Sequence, residues 1–122
     1  MEKHTIHESE VQAKELPGRS HKMIIKPDNF GCKSMCFGVA DFPPMAHAPE
    51  HVHDKEEEIL YVLSGVGEMY FDGQPEPLKP GTSMYVPAKV VHSIKNTGPE
   101  VLKVVYVFSP PVVQGSYDRK DS

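Results

Sequence analysis

Apolar and polar residues along the chain alternate in short runs, and no segment keeps a 3.6-residue apolar period. The clearest runs are HKMIIK (21–26), KSMCFGVADF (33–42), EEILYVLSG (57–65), VGEMYFDGQ (66–74), TSMYVP (82–87), VVHSIKN (90–96) and VLKVVYVFS (101–109). Each is bounded by Pro, Gly, Asn or Asp, and the DG pair at 72–73 is a hairpin signal. HVH (51–53) reads as a brief extended piece, and PEPLKPG (75–81) as a short edge strand or a loop. Twelve prolines and nine glycines argue against long helices. About eight short strands joined by turns predict an all-β sandwich or barrel, and a double-sheet jelly roll suits this length.

Strand parity then says which side chains share a face. His51 and His53 point together, with Val52 opposite. If Glu58 faces inward, so do Leu60 and Val62, while Ile59, Tyr61 and Leu63 face outward. In VVHSIKN the polar pair Ser93 and Lys95 marks one face as outer, which places His92, Ile94 and Asn96 inside. On the last strand Lys103 marks the outer parity, together with Val101, Val105 and Val107, so Leu102, Val104 and Tyr106 face the interior. The apolar outer positions of EEILYVLSG (57–65) and of the last run predict a covered face, and hence a homodimer.

Length and composition set the frame. A chain of 122 residues suits one domain, with 39% hydrophobic and 25% charged residues as in ordinary globular proteins. We divide it into an N-terminal arm (1–20), a barrel (21–115) and a tail (116–122) that follows the double proline. The net charge is −4, with no basic cluster interleaved with aromatics, so nucleic acid is not an expected partner. No apolar run reaches the ~18 residues that span a bilayer, and the start, MEKHTIHESE, is not a secretory signal. Cys32 and Cys36, four residues apart on one strand, would be roughly 13 Å apart, too far for a disulfide. Free thiols and missing signals suggest the cytoplasm.

The chemistry concentrates in two places. The first is His51-x-His53 followed by Glu56, Glu57 and Glu58; the second is His92. Imidazole is a common metal ligand near neutral pH, and three neutral nitrogens with one carboxylate suit Fe, Mn, Ni, Co, Cu or Zn. Such a set leaves open positions on a five- or six-coordinate ion. These residues also carry a resemblance. His51, Val52, His53, four residues, Glu58, six residues and Gly65 resemble the first motif of the cupin superfamily. Gly81, five residues, Pro87, Ala88, Lys89, two residues, His92, three residues and Asn96 resemble the second. Met45 and Lys89 stand where the motifs carry glycines, at positions that serve backbone geometry and not ligation.

The resemblance implies a double-stranded β-helix (jelly-roll) barrel of six to eight strands, with one divalent metal held by His51, His53, Glu58 and His92. Counting back from Gly65 selects Glu58 over Glu57, and Glu58 is also the expected general base. Glu56 reads as a solvated edge. His4, His7 and His21 read as surface or arm residues, and His47 as a rim residue. Arg19 and Lys89 are candidates for the barrel mouth with no assigned role. Tyr106, Met84 and Phe37 are the candidates for a substrate pocket, Tyr106 foremost because a buried phenol needs a hydrogen-bond partner. Asn96 reads as structural. The expected function is a metal-dependent enzyme, dioxygenase-like, acting on a small oxygen-bearing organic molecule. A metal-dependent isomerase or lyase and a non-catalytic binding or sensing module are the alternatives.

Overall fold

A computed structural model describes residues 3–112; the expected tail (116–122) lies outside the described residues. Nine strands form: β1 (Lys14–Leu16), β2 (Arg19–Ile25), β3 (Cys36–Phe42), β4 (Glu57–Ser64), β5 (Gly67–Phe71), β6 (Gln74–Leu78), β7 (Ser83–Val86), β8 (His92–Asn96) and β9 (Leu102–Ser109). They make a six-stranded sheet in the order β1-β2-β3-β9-β4-β7 and a three-stranded sheet β6-β5-β8, with every pairing antiparallel. The two sheets face each other as a jelly roll. The PDN turn becomes a single helical turn, α1 (Pro27–Phe30), capped by Gly31. No helix among the described residues is long and apolar enough to cross a membrane. Cys32 and Cys36 are free.

Alternation is strict where the large sheet packs on the small one. Glu58, Leu60 and Val62 of β4 are buried while Glu57, Ile59, Tyr61 and Leu63 are exposed. On β9, Leu102, Val104, Tyr106 and Phe108 are buried and the residues between are half-buried. Met69, Val62, Leu102 and Val104 are fully enclosed at the centre, and burying such a side chain contributes about 1.5–3 kcal/mol.

Turn chemistry fixes the register. Asp72 and Gly73 both have positive φ (49° and 83°), as a two-residue β5–β6 hairpin requires. Gly65 sits at φ 86°, and a Cβ there would lie 2.6 Å from both the Leu102 Cα and the Val101 carbonyl, so only glycine fits. The two motif positions that lack glycine keep the same backbone, because Met45 has φ 65° and Lys89 φ 69°.

The sheet begins earlier than the chain's polar start suggests. β1 and β2 draw residues 14–20, read from sequence as part of an arm, into the large sheet. Residues before them run over its outer face, where Lys22 Nζ donates to the Glu8 carbonyl (2.9 Å) and Lys103 Nζ to the Glu8 carboxylate (2.8 Å).

Candidate metal centre and cavity

His51 enters from the loop after β3, and His92 opens β8. Their backbones form a reciprocal pair: His51 N donates to the His92 carbonyl and His92 N to the His51 carbonyl, both at 2.9 Å. His53 follows two residues on, and its carbonyl accepts the Lys89 amide (2.7 Å). Backbone bonds alone thus bring the three imidazoles together. Their ring centroids are 4.1 Å apart for His51 and His92, 5.2 Å for His51 and His53, and 5.6 Å for His53 and His92. One nitrogen from each lies within 4.8 Å of the others, the arrangement of a three-histidine metal site.

The tautomers favour that role. His92 Nδ1 lies 2.9 Å from the Val90 carbonyl, which can only accept, so Nδ1 carries the proton and Nε2 keeps its lone pair. His51 Nδ1 makes a longer contact of the same kind to the Pro49 carbonyl (3.4 Å). Burial, with the neighbouring His92 and His53 and the Arg19 charge, lowers the His51 pKa to about 3. Burial is also the main reason that the His53 pKa is lowered; His92 adds to the effect and Glu58 opposes it. Neutral imidazole is the metal-binding form.

Glu58, only 6% exposed, reaches the cluster from β4, with Oε1 3.5 Å from His92 Nε2. His53 Nε2, Glu58 Oε1 and His92 Nε2 are buried with no hydrogen-bond partner among the described residues. Leaving such groups unpaired costs about 1–3 kcal/mol each, so three converging orphans fit a site that takes a cation. Glu57 instead points outward and accepts from Tyr85 Oη (2.8 Å). Glu56 departs from the expectation of a solvated edge: it precedes β4, where strand parity no longer applies, and is buried.

The cluster opens on a cavity of about 70 Å³, room for several waters, lined mainly by apolar side chains such as Leu60, Met69, Ile94 and Val104. Of the three pocket candidates, Tyr106 lines it, in edge contact with Phe108, which in turn packs edge-on to His53. Met84 lines a separate depression with Phe71 and Leu78. Phe37 does not line the cavity, because it has the parity opposite to Cys36 and Gly38 and pairs with Val107 on the outer side of the sheet.

His21 corrects its reading as a surface or arm residue. It is buried on β2, lines the cavity, and its Nδ1 lies 2.9 Å from Tyr106 Oη. Arg19, two residues earlier, lines the same space. The signal was present as alternation, since Arg19, His21 and Met23 share one strand face. His47 sits outside the cavity, 3.4 Å from Ser93 Oγ and stacked near Tyr70.

A family model for the cupin domain matches residues 38–108, well over half of the chain. The chain belongs to the cupin family. It is 32% identical over 93 residues to protein SchB of Streptomyces halstedii, covering 76% of this chain and 67% of that one. It is 31% identical over 107 residues to auxin-binding protein 1 of Arabidopsis thaliana, covering 80% of this chain but only 54% of that protein. Among solved structures, a predicted oxalate decarboxylase from Thermotoga maritima superposes with a TM-score of 0.78 at 24% identity, over 87% of this chain and 98% of that one. That likeness is one of fold.

Proposed function

We propose that this cupin is a metal-dependent enzyme acting on a small, oxygen-bearing and mostly apolar organic molecule. The observation that carries the reading is the convergence of buried, unpartnered His53 Nε2, His92 Nε2 and Glu58 Oε1, beside His51, on a small apolar cavity. His51, His53 and His92 would hold the ion, with Glu58 as a fourth ligand. A divalent transition ion held there would supply Lewis acidity and, if redox-active, electrons for oxygen chemistry.

The chain's own groups do the rest. Leu60, Met69, Ile94 and Val104 exclude water and so strengthen each polar contact inside. Glu58, in a dry site, is the group placed to hold or move a proton at Oε1. Three neutral nitrogens with one carboxylate support the dioxygenase-like form of the reading. Oxygen uptake with catechol, flavonol and diketone probes tests that form, and turnover without uptake assigns isomerase or lyase chemistry instead. For the reading as a whole, zinc titration of the metal-free protein should give one tight site that His92→Ala abolishes; undiminished binding in that variant would defeat it.

A second reading, a non-catalytic binding module, draws support from the relative named as an auxin-binding protein. Ligand-dependent thermal stabilisation with no turnover of any bound probe would favour it. The exposed outer row of Ile59, Tyr61, Leu63 and Tyr85 supports a homodimer in either case. Light scattering at micromolar concentration should then return twice the 13.6 kDa chain mass.

A further inference from the structure

The wall that β2 adds to the cavity has no place in the metal-centre argument. It carries Arg19, His21 and Met23 on alternate positions facing inward. Arg19 brings the one permanent cation among the described residues lining the cavity, and Glu58 the one carboxylate. Arg19 Nη1 donates to the Pro17 carbonyl (3.0 Å). The guanidinium stands close enough to His51 for its charge to help keep that imidazole neutral. One step along the strand, His21 is tied to Tyr106 across 85 residues of sequence.

That tie depends on a glycine. Gly38, on β3 between the strands of the two partners, has no side chain, and a Cβ there would lie 2.5 Å from Tyr106 Oη and 2.5 Å from the Lys22 carbonyl. The phenol therefore lies flat across β3 and delivers its hydroxyl to His21. A buried polar pair beside a cation, on the wall of a cavity lined mainly by apolar side chains, is recognition machinery more than core.

We propose that this wall selects the substrate: Arg19 binds the carboxylate of a small apolar acid, and the His21–Tyr106 pair hydrogen-bonds a second oxygen on the same molecule. The inference rests on the reading of the cavity as the substrate site. A guanidinium fork matches a carboxylate with two parallel hydrogen bonds, which an amide or alcohol cannot reproduce. The second contact acts on a neighbouring hydroxyl or carbonyl, so the wall distinguishes a hydroxylated acid from the plain one.

Calorimetric or NMR titration with four single-ring probes tests this: benzoate, benzamide, salicylate and salicylamide, each against metal-free and zinc-loaded protein. Wild type should prefer each acid over its amide by about tenfold, the equivalent of one charge-assisted contact, in both metal states. Arg19→Gln should erase that preference, and Arg19→Lys should keep part of it. Tyr106→Phe should leave the acid preference intact but remove the gain of salicylate over benzoate. An acid preference that is absent in wild type, that survives in Arg19→Gln, or that appears only with zinc overturns the proposal. The zinc-only result would leave the metal-centre reading standing, with the carboxylate assigned to the ion. An Arg19-dependent preference in a protein that binds no zinc would sink the metal-centre reading and leave this one.

Discussion

His92 and Asn96 stand on one face of one strand, four residues apart, and both are buried, at 2% and 0% exposure. Asn96 spends every polar atom on backbone. Its Nδ2 lies 2.9 Å from the Phe42 carbonyl, 3.0 Å from that of Pro43 and 2.7 Å from that of Glu100, and its Oδ1 accepts the Gly98 amide at 2.9 Å. His92 anchors one nitrogen on Val90 and leaves the other facing His51, His53 and Glu58 with no partner. Burial is equal, yet saturation differs. A polar group that is satisfied on all sides builds the fold, whereas one fixed on one side and orphaned on the other is held ready for something else.

The sharpest way to break this contrast is Asn96→Ala. It strands the buried Phe42 carbonyl, two part-buried carbonyls and the buried Gly98 amide, and we expect a loss of about 3 kcal/mol in urea unfolding, with zinc affinity per folded molecule unchanged. Next in size is His92→Ala. Disturbing groups that merely orient a ligand already costs 10–100-fold in affinity, so removing a ligand should cost at least about 100-fold by competitive zinc titration. Its metal-free form should lose less stability than the Asn96 variant. If both variants damaged stability and zinc binding alike, the distinction would be empty.

Smaller effects sharpen the same point at the loops that frame the ligands. Met45→Gly and Lys89→Gly should each stabilise the protein by about 0.5–1 kcal/mol in thermal or urea unfolding, because a left-handed backbone is strained for any side chain. The smallest effect lies on the outer face. The Lys103 ammonium hydrogen-bonded to Glu8 lowers the Glu8 pKa below its ordinary 4.5. A carboxyl whose pKa is lowered on folding stabilises the native state above its ordinary value, and that contribution fades as pH falls through the lowered one. The pair is about one-third exposed and screened by solvent, so the contribution is under about 1 kcal/mol. As pH falls from that ordinary value of 4.5 the amides of residues 8–11 should lose protection against exchange relative to their intrinsic rates, and Lys103→Ala should remove that pH dependence.

Much of this was legible from letters because period-2 alternation is strict on β4 and β9. Lys103 placed Tyr106 inside, and Lys95 placed His92 inside. Glu58 and Glu57 separated by the same parity, and the count back from Gly65 chose the one that is buried. Legibility failed where alternation breaks or starts too early. Between Met23 and Ile25 the β2–β3 register shifts, which blurs the period of HKMIIK, and the alternation that places His21 inward begins at Arg19, in residues read as arm. Phe37 was misjudged although a marker stood on its strand: Asp41, four residues along, shares its parity and faces outward too. Met84 faces inward as expected for core but lies nearer β5 and β6 than the histidines, a distance that no local pattern encodes. Gly38, whose emptiness lets a phenol cross a strand, reads in sequence only as a gap.

The two amide bonds that His51 and His92 exchange make a small clasp, all of it backbone, between the loop after β3 and the start of β8. Bonds of that kind involve no imidazole nitrogen, so we expect the strands to stay joined whether or not a cation is bound. A chelator should strip such a site by way of imidazole rotation and water entry, leaving the strands joined, and reloading should follow at the pace of side-chain motion instead of refolding.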